Sequence, residues 1–373
     1  MQLVGRLYGV RRVSAPASLP HVLATLLLSL ILALAPLATL SLSACGGGGG
    51  GESSASSDSG SKDDGGKGDK GNDDAGDKGE PEKSEDNDGG ILGGILGGGD
   101  DKGEATGADF KLPKDVKIPS VADSGGDTTI DTSGVNSGWV GARGKSSARL
   151  KFQILCGDLS YVYDMPNDGS ATCFPINMGN GSYTFRVMEN VEGSNYAELD
   201  SATADVSLSS EFDPFLVPNI YCSYKSDSSC VKKARELMDG VENQGEAVRE
   251  ICTFVADNIT YDDNKAAQLA NSTGYVPDPD ATLADKSGVC FDYASLAAAM
   301  LRSVGIPAQV VTGYVNPNNL YHAWVMVYVD GTWQTAQFSI SPNTWSRCDV
   351  TFASAGAGAT IGDGTTYTDR YVY

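Results

Sequence analysis

A cysteine and a histidine about thirty residues apart are the side chains of this sequence best suited to nucleophilic chemistry. They stand in Gly288-Val289-Cys290-Phe291-Asp292-Tyr293-Ala294 and in Tyr321-His322-Ala323-Trp324. The first segment opens an amphipathic helical pattern, and the second begins a strand. A thiol at a helix start lies among unpaired backbone N–H groups at the positive end of the helix dipole, and both favour thiolate. The same N–H groups suit the oxyanion that forms when a thiolate attacks a carbonyl. His322 would accept the thiol proton and later return it to a leaving amine. The chain has only two histidines. The other, His21, falls in a segment of targeting character, so the role falls to His322. Asp292 suits the first helical turn and reads as the residue that caps or anchors it. Tyr261 stands where it could assist an oxyanion or serve the core.

The elements that must position this pair follow from periodicity. Tyr293, Leu296, Ala297, Met300, Leu301 and Val304 form an apolar helical stripe, which Gly305-Ile306-Pro307 terminates. Two earlier helices are predicted, one around Val231, Ala234 and Met238, the other around Val248, Ile251, Cys252, Val255 and Ile259. The second runs into Tyr261-Asp262, and a loop with Pro277 and Pro279 leads to the cysteine. Strands are predicted at Ala308 to Tyr314, Ala323 to Val329, Gly331 to Phe338 and near Trp345, with Asp330-Gly331 as a hairpin turn. Helices followed by an antiparallel run of strands describe an α+β domain. Upstream, Thr128 to Asp213 reads as short alternating strands separated by Asn167-Asp168-Gly169 and Gly179-Asn180-Gly181 turns, the pattern of a small β-sandwich.

The N-terminal third has a different character. Arg6, Arg11 and Arg12 precede an apolar run from Val22 to Leu40 that ends in Leu42-Ser43-Ala44-Cys45. This is the form of a secretory signal. The run is also nearly long enough for an uncleaved transmembrane anchor. Leu-Ser-Ala-Cys resembles the lipobox of bacterial lipoproteins, which implies lipidation of Cys45 and anchoring at the outer face of the cytoplasmic membrane. From Gly46 to about Asp109 the chain is mostly Gly, Asp, Ser, Lys and Glu, too poor in apolar residues to order itself, and reads as a flexible tether. The expected domains are a signal at 1–44, a tether at 45–110, a β-sandwich-like accessory domain at 111–218 and a catalytic domain at 219–373. A net charge of −21 argues against nucleic acid as a ligand. Of eight cysteines, setting Cys45 and Cys290 aside leaves Cys156, Cys173, Cys222, Cys230, Cys252 and Cys348. Disulfides are permitted among them. Cys156 with Cys173, Cys222 with Cys230, and Cys252 with Cys348 are the natural candidates. No metal site and no cofactor are expected, since Cys-x-x-Cys is absent and one usable histidine makes a poor zinc site.

Three motifs taken together carry a family resemblance. They are the cysteine segment, Gly305-Ile306-Pro307-Ala308 with Gly313-Tyr314, and Tyr321-His322-Ala323-Trp324. From about Thr253 onward the chain resembles the transglutaminase-like superfamily, which implies a papain-like fold and a Cys-His-Asp triad with Cys290 as nucleophile and His322 as base. The resemblance places the third member soon after a Gly-x-Trp turn, where Gly331-Thr332-Trp333 is followed by Gln337. It also fits Asp349, in a Trp345…Asp349-Val350-Thr351 segment displaced by a hairpin. A carboxylate stabilises imidazolium as an amide cannot, so Asp349 is preferred and Gln337 is the alternative. The expected function is a cell-surface thiol enzyme that attacks peptide or side-chain amides of a protein or a peptidoglycan peptide. Amine capture of the thioester would make it a cross-linking acyltransferase; water capture would make it a peptidase or deamidase. The alternative is a catalytically silent surface adhesin or wall-binding module on the same scaffold.

Overall fold

The computed structural model describes residues 103–316, 319–335, 338–355 and 367–373. The expected leader, Cys45, the expected tether up to residue 102 and Gln337 lie outside the described residues. The fold is α+β, with two hydrophobic cores inside one compact unit.

A short strand, β1 (Ala105–Gly107), precedes the sandwich strands β2 (Thr128–Asp131), β3 (Trp139–Gly144), β4 (Leu150–Cys156), β5 (Leu159–Met165), β6 (Thr172–Pro175), β7 (Gly181–Glu192) and β8 (Asn195–Val206). Two antiparallel sheets result, ordered β2-β3-β6 and β5-β4-β7-β8. Alternation decides which side chains meet: Leu150, Phe152 and Ile154 of β4 and Tyr183, Phe185 and Val187 of β7 are all buried. The Phe152 ring stacks 4.4 Å from Phe174 on the facing sheet. Each such ring contributes about 1.5–3 kcal/mol by leaving water.

The second half begins with α1 (Ser229–Leu237), α2 (Gln244–Asn258), β9 (Thr260–Tyr261), α3 (Asp263–Leu269), α4 (Pro279–Asp285) and β10 (Ser287–Gly288). Then follow α5 (Cys290–Ser303), β11 (Ala308–Val315), β12 (Leu320–Val329), β13 (Gly331–Gln334), β14 (Ser339–Ile340), β15 (Thr344–Cys348), α6 (Val350–Ser354) and β16 (Tyr367–Val372). Every residue of α5 is buried, so it is the central helix of the core rather than a one-sided surface helix. Gly305, at φ +89°, ends it, and Ile306 N–H returns to the Leu301 carbonyl at 3.0 Å. The main sheet is antiparallel, in the order β15-β12-β11-β16.

Several expectations are corrected. The stretch after Tyr261, read as a loop, contains α3 and α4. Asp262 caps the first by accepting from Lys265 N–H, and Asp278 caps the second by accepting from Asp280 and Ala281 N–H, with Pro279 in the first turn. Asp330-Gly331 is not a β-hairpin turn. β12 pairs with β11 and β15, whereas β13 pairs with β14 and with β1 from the end of the expected tether. Glycines permit that pairing: a Cβ on Gly331 would lie 2.3 Å from the Thr106 carbonyl oxygen. The ordered fold thus begins earlier than residue 111. Cys156 and Cys173 are not on adjacent strands but on different sheets, and all seven described cysteines are free thiols. Cys252 and Cys348, both fully buried, do lie near each other, and burial together with Cys252 pushes the Cys348 thiol pKa up.

Arg302 near the end of α5 is only 2 % exposed and donates to the carbonyls of Ala308, Val217 and Tyr373 at 2.8, 2.8 and 2.9 Å. It ties the last residue of the chain and the linker from the sandwich to the central helix. Arg302→Met removes a donor from all three oxygens, of which Tyr373 keeps the Val310 N–H, and will destabilise the fold by about 3–5 kcal/mol in a urea melt. A loss below about 1 kcal/mol would mean that water replaces the guanidinium.

Candidate active site

Cys290 is the first residue of α5, and its N–H precedes the helical ladder, with no carbonyl four residues back to reach. The turn before it is built around Asp292, which is fully buried. Asp292 Oδ2 accepts the Val289 N–H at 2.8 Å and the Lys265 ammonium at 2.7 Å, and Tyr275 OH donates to its Oδ1. Gly288 is required here, since a Cβ would lie 2.6 Å from that of Asp292. The carboxylate adjoining Cys290 is therefore neutralised by a lysine and engaged in holding the helix start.

His322 lies on β12 opposite Gly313. Its Nε2 is 2.9 Å from Asp349 Oδ2. Nδ1 is buried without a hydrogen-bond partner, and the nearby Cys290 is among the groups that raise the imidazole pKa. The structure thus brings Cys290, His322 and Asp349 together, with Nε2 engaged by the carboxylate and Nδ1 without a hydrogen bond. Phe352 stacks on the imidazole at 4.5 Å and 13°. Exposure is 4 % for Cys290, 1 % for His322 and zero for Asp349, so the reacting groups face little water. Burial alone would push the imidazole pKa down; Asp349 and Cys290 outweigh it and push it up to about 10.

Asp349 caps α6, its Oδ1 accepting the Phe352 N–H at 3.0 Å. Its Oδ2 accepts a second donor besides the histidine, Tyr367 OH at 2.8 Å. Neither Tyr367 nor Phe352 was legible as a site residue. Tyr367 arrives from the last strand with no motif around it, whereas Phe352, three residues after Asp349, carried a usable helix-cap signal. Gly313 lets β16 approach, because a Cβ there would lie 2.1 Å from the Thr368 carbonyl oxygen and 2.8 Å from Trp324.

Tyr261, on β9, is paired in register with Gly288, two residues before Cys290. Its hydroxyl is buried without a hydrogen-bond partner. Burial first, then the nearby Cys290, pushes its pKa up, so the phenol keeps its proton and is available as a donor.

Residues 231–338 match a family model described as the Transglutaminase-like superfamily. The UPF0252 protein MJ1282 of Methanocaldococcus jannaschii is 32 % identical over 136 residues, which is 34 % of this chain and 38 % of that protein. The chain therefore spans little more than a third of that relative's length. Among solved structures, calcium-bound LapG of Legionella pneumophila aligns at 14 % identity and a TM-score of 0.24, over 38 % of this chain and 83 % of that one. Red sea bream transglutaminase aligns at 13 % identity and a TM-score of 0.22, over 51 % and 45 %. The segment 231–338, which carries Cys290 and His322, belongs to the transglutaminase-like superfamily.

Proposed function

We propose that the protein is a thiol acyl-transfer enzyme acting on amide carbonyls of a protein or peptidoglycan peptide at the cell surface. The observation that carries this reading is the buried cluster of Cys290, at the start of the central helix, with the hydrogen-bonded His322–Asp349 pair. Cys290 sulfur attacks the carbonyl carbon, its proton passing to His322 Nδ1. The oxyanion meets the Cys290 N–H and the Tyr261 hydroxyl. His322 then protonates the leaving nitrogen, the C–N bond breaks, and a thioester is left. An incoming amine or water loses a proton to the same imidazole and releases the acyl group. Lipidation of Cys45 and display on the outer face of the membrane belong to the same proposal, supported by the lipobox-like segment.

The test begins without a substrate. Alkylation of Cys290 by iodoacetamide, mapped by mass spectrometry, will hold its rate below pH 7 in the wild type and lose that low-pH limb in His322→Ala. A thiol indifferent to His322 would leave the silent surface module as the better reading. Incubation with a glutamine peptide and a fluorescent primary amine then separates the outcomes. Ammonia release with amine incorporation indicates cross-linking, and release without incorporation indicates hydrolysis.

A further inference from the structure

Behind the triad lies a second layer that the reaction scheme above does not use. Tyr367 OH shares Asp349 Oδ2 with His322 Nε2, at 2.8 and 2.9 Å. The Arg347 guanidinium lies 3.8 Å from the centroid of the Tyr367 ring and 5.7 Å from that of Trp324. Trp324 in turn stacks beside the imidazole at 6.3 Å. Arg347 forms no ion pair among the described residues, and its Nε is buried without a partner, so its cation is directed onto these rings rather than spent on a carboxylate.

We propose that Tyr367 and Arg347 are positioning residues that restrain the basicity Asp349 confers on His322. The inference rests on the acyl-transfer reading. An imidazole pressed between a buried carboxylate and a thiolate holds its proton tightly, yet the scheme requires that proton to be delivered to a leaving nitrogen. A donor that occupies the same carboxylate oxygen withdraws part of its charge from the imidazolium. A guanidinium on the face of the donating ring attracts the ring's electrons, makes the phenol a stronger donor and repels imidazolium directly. The groups facing His322 are Cys290 from α5, Asp349 and Phe352 at α6 and Trp324 on its own strand. Tyr261 reaches it only through Cys290. Of these groups Asp349 and Cys290 favour the imidazolium; burial opposes it, and so does the Tyr367–Arg347 pair behind Asp349.

The experiment is a histidine 13Cε1 NMR titration of the full chain in a Cys290→Ala background, where the thiol no longer contributes. His322 is assigned by the resonance missing from His322→Ala. Tyr367→Phe and Arg347→Gln will each raise the titration midpoint of His322 by about one pH unit, and Arg347→Lys will remain near the parent. Midpoints unchanged in both variants, or moved downward, would overturn the proposal, provided thermal melts show the variants folded. If Tyr367→Phe does not fold, Arg347→Gln alone decides. The iodoacetamide profile with Cys290 intact reports separately on whether His322 serves the thiol at all. Failure of the acyl-transfer reading is thereby distinguished from failure of this one.

Discussion

Asp349→Asn will slow acylation of Cys290 by about 10⁴-fold, measured as ammonia release from the glutamine peptide, in a protein that still folds. Three donors converge on this side chain: the Phe352 N–H on Oδ1, and His322 Nε2 and Tyr367 OH on Oδ2. A carboxylate accepts all three, but an asparagine must point its NH₂ at one side. Turned toward Phe352, it sets two donors against each other and costs about 1–3 kcal/mol. Turned toward His322, it forces Nε2 to become the acceptor, which puts the imidazole proton on Nδ1. That nitrogen is the one the proposed scheme assigns to the thiol, and it could no longer take the thiol's proton. The wrong tautomer, more than lost charge, is the source of the effect. A rate within tenfold of wild type would show that His322 is oriented by something other than Asp349.

Tyr261→Phe will lower the same acylation rate by about 10²-fold, with little change in Cys290 alkylation or in thermal stability. The hydroxyl has no partner in the resting protein, so its removal forfeits no hydrogen bond of the folded state. Alkylation by iodoacetamide passes through no tetrahedral oxyanion and is insensitive to a donor placed for one. Amide attack does develop negative charge on oxygen, in a site where Cys290 is 4 % exposed and water is scarce. A fixed donor there is worth more than in solution. Equal losses in acylation and alkylation would instead assign Tyr261 to the support of Cys290 itself.

The layout of the molecule shows which parts of such an arrangement are local. The cysteine helix was legible because its apolar spacing, its Gly305 stop and its position after Gly288 lie within one short stretch. The β-sandwich was legible because alternation and turn residues recur every few positions. Helices α3 and α4 were missed although each has an aspartate cap, because at seven residues apiece their apolar periodicity is too brief to register. The pairing of β1 with β13 was missed for a different reason. Residues 105–107 and 331–333 are far apart in sequence, and nothing in a three-residue strand names its partner. A strong turn dipeptide, Asp330-Gly331, pointed locally to a hairpin that the tertiary contacts override.

By itself the sequence carried the candidate chemistry of this protein: one cysteine at a helix start, one histidine outside the N-terminal apolar segment, and the segment spacing of a transglutaminase-like core. Those are properties of side-chain type and short-range pattern, and they do not depend on how the strands are ordered. Only the tertiary structure decided how the histidine is held and which of its nitrogens meets Asp349. It also brought in Tyr367 and Arg347, from β16 and β15 at opposite edges of the main sheet. Their side chains meet only because Gly313 leaves room for the last strand and Trp324 supplies a surface for the guanidinium. That convergence joins strands distant in sequence and ordered by long-range packing, where no local periodicity records it.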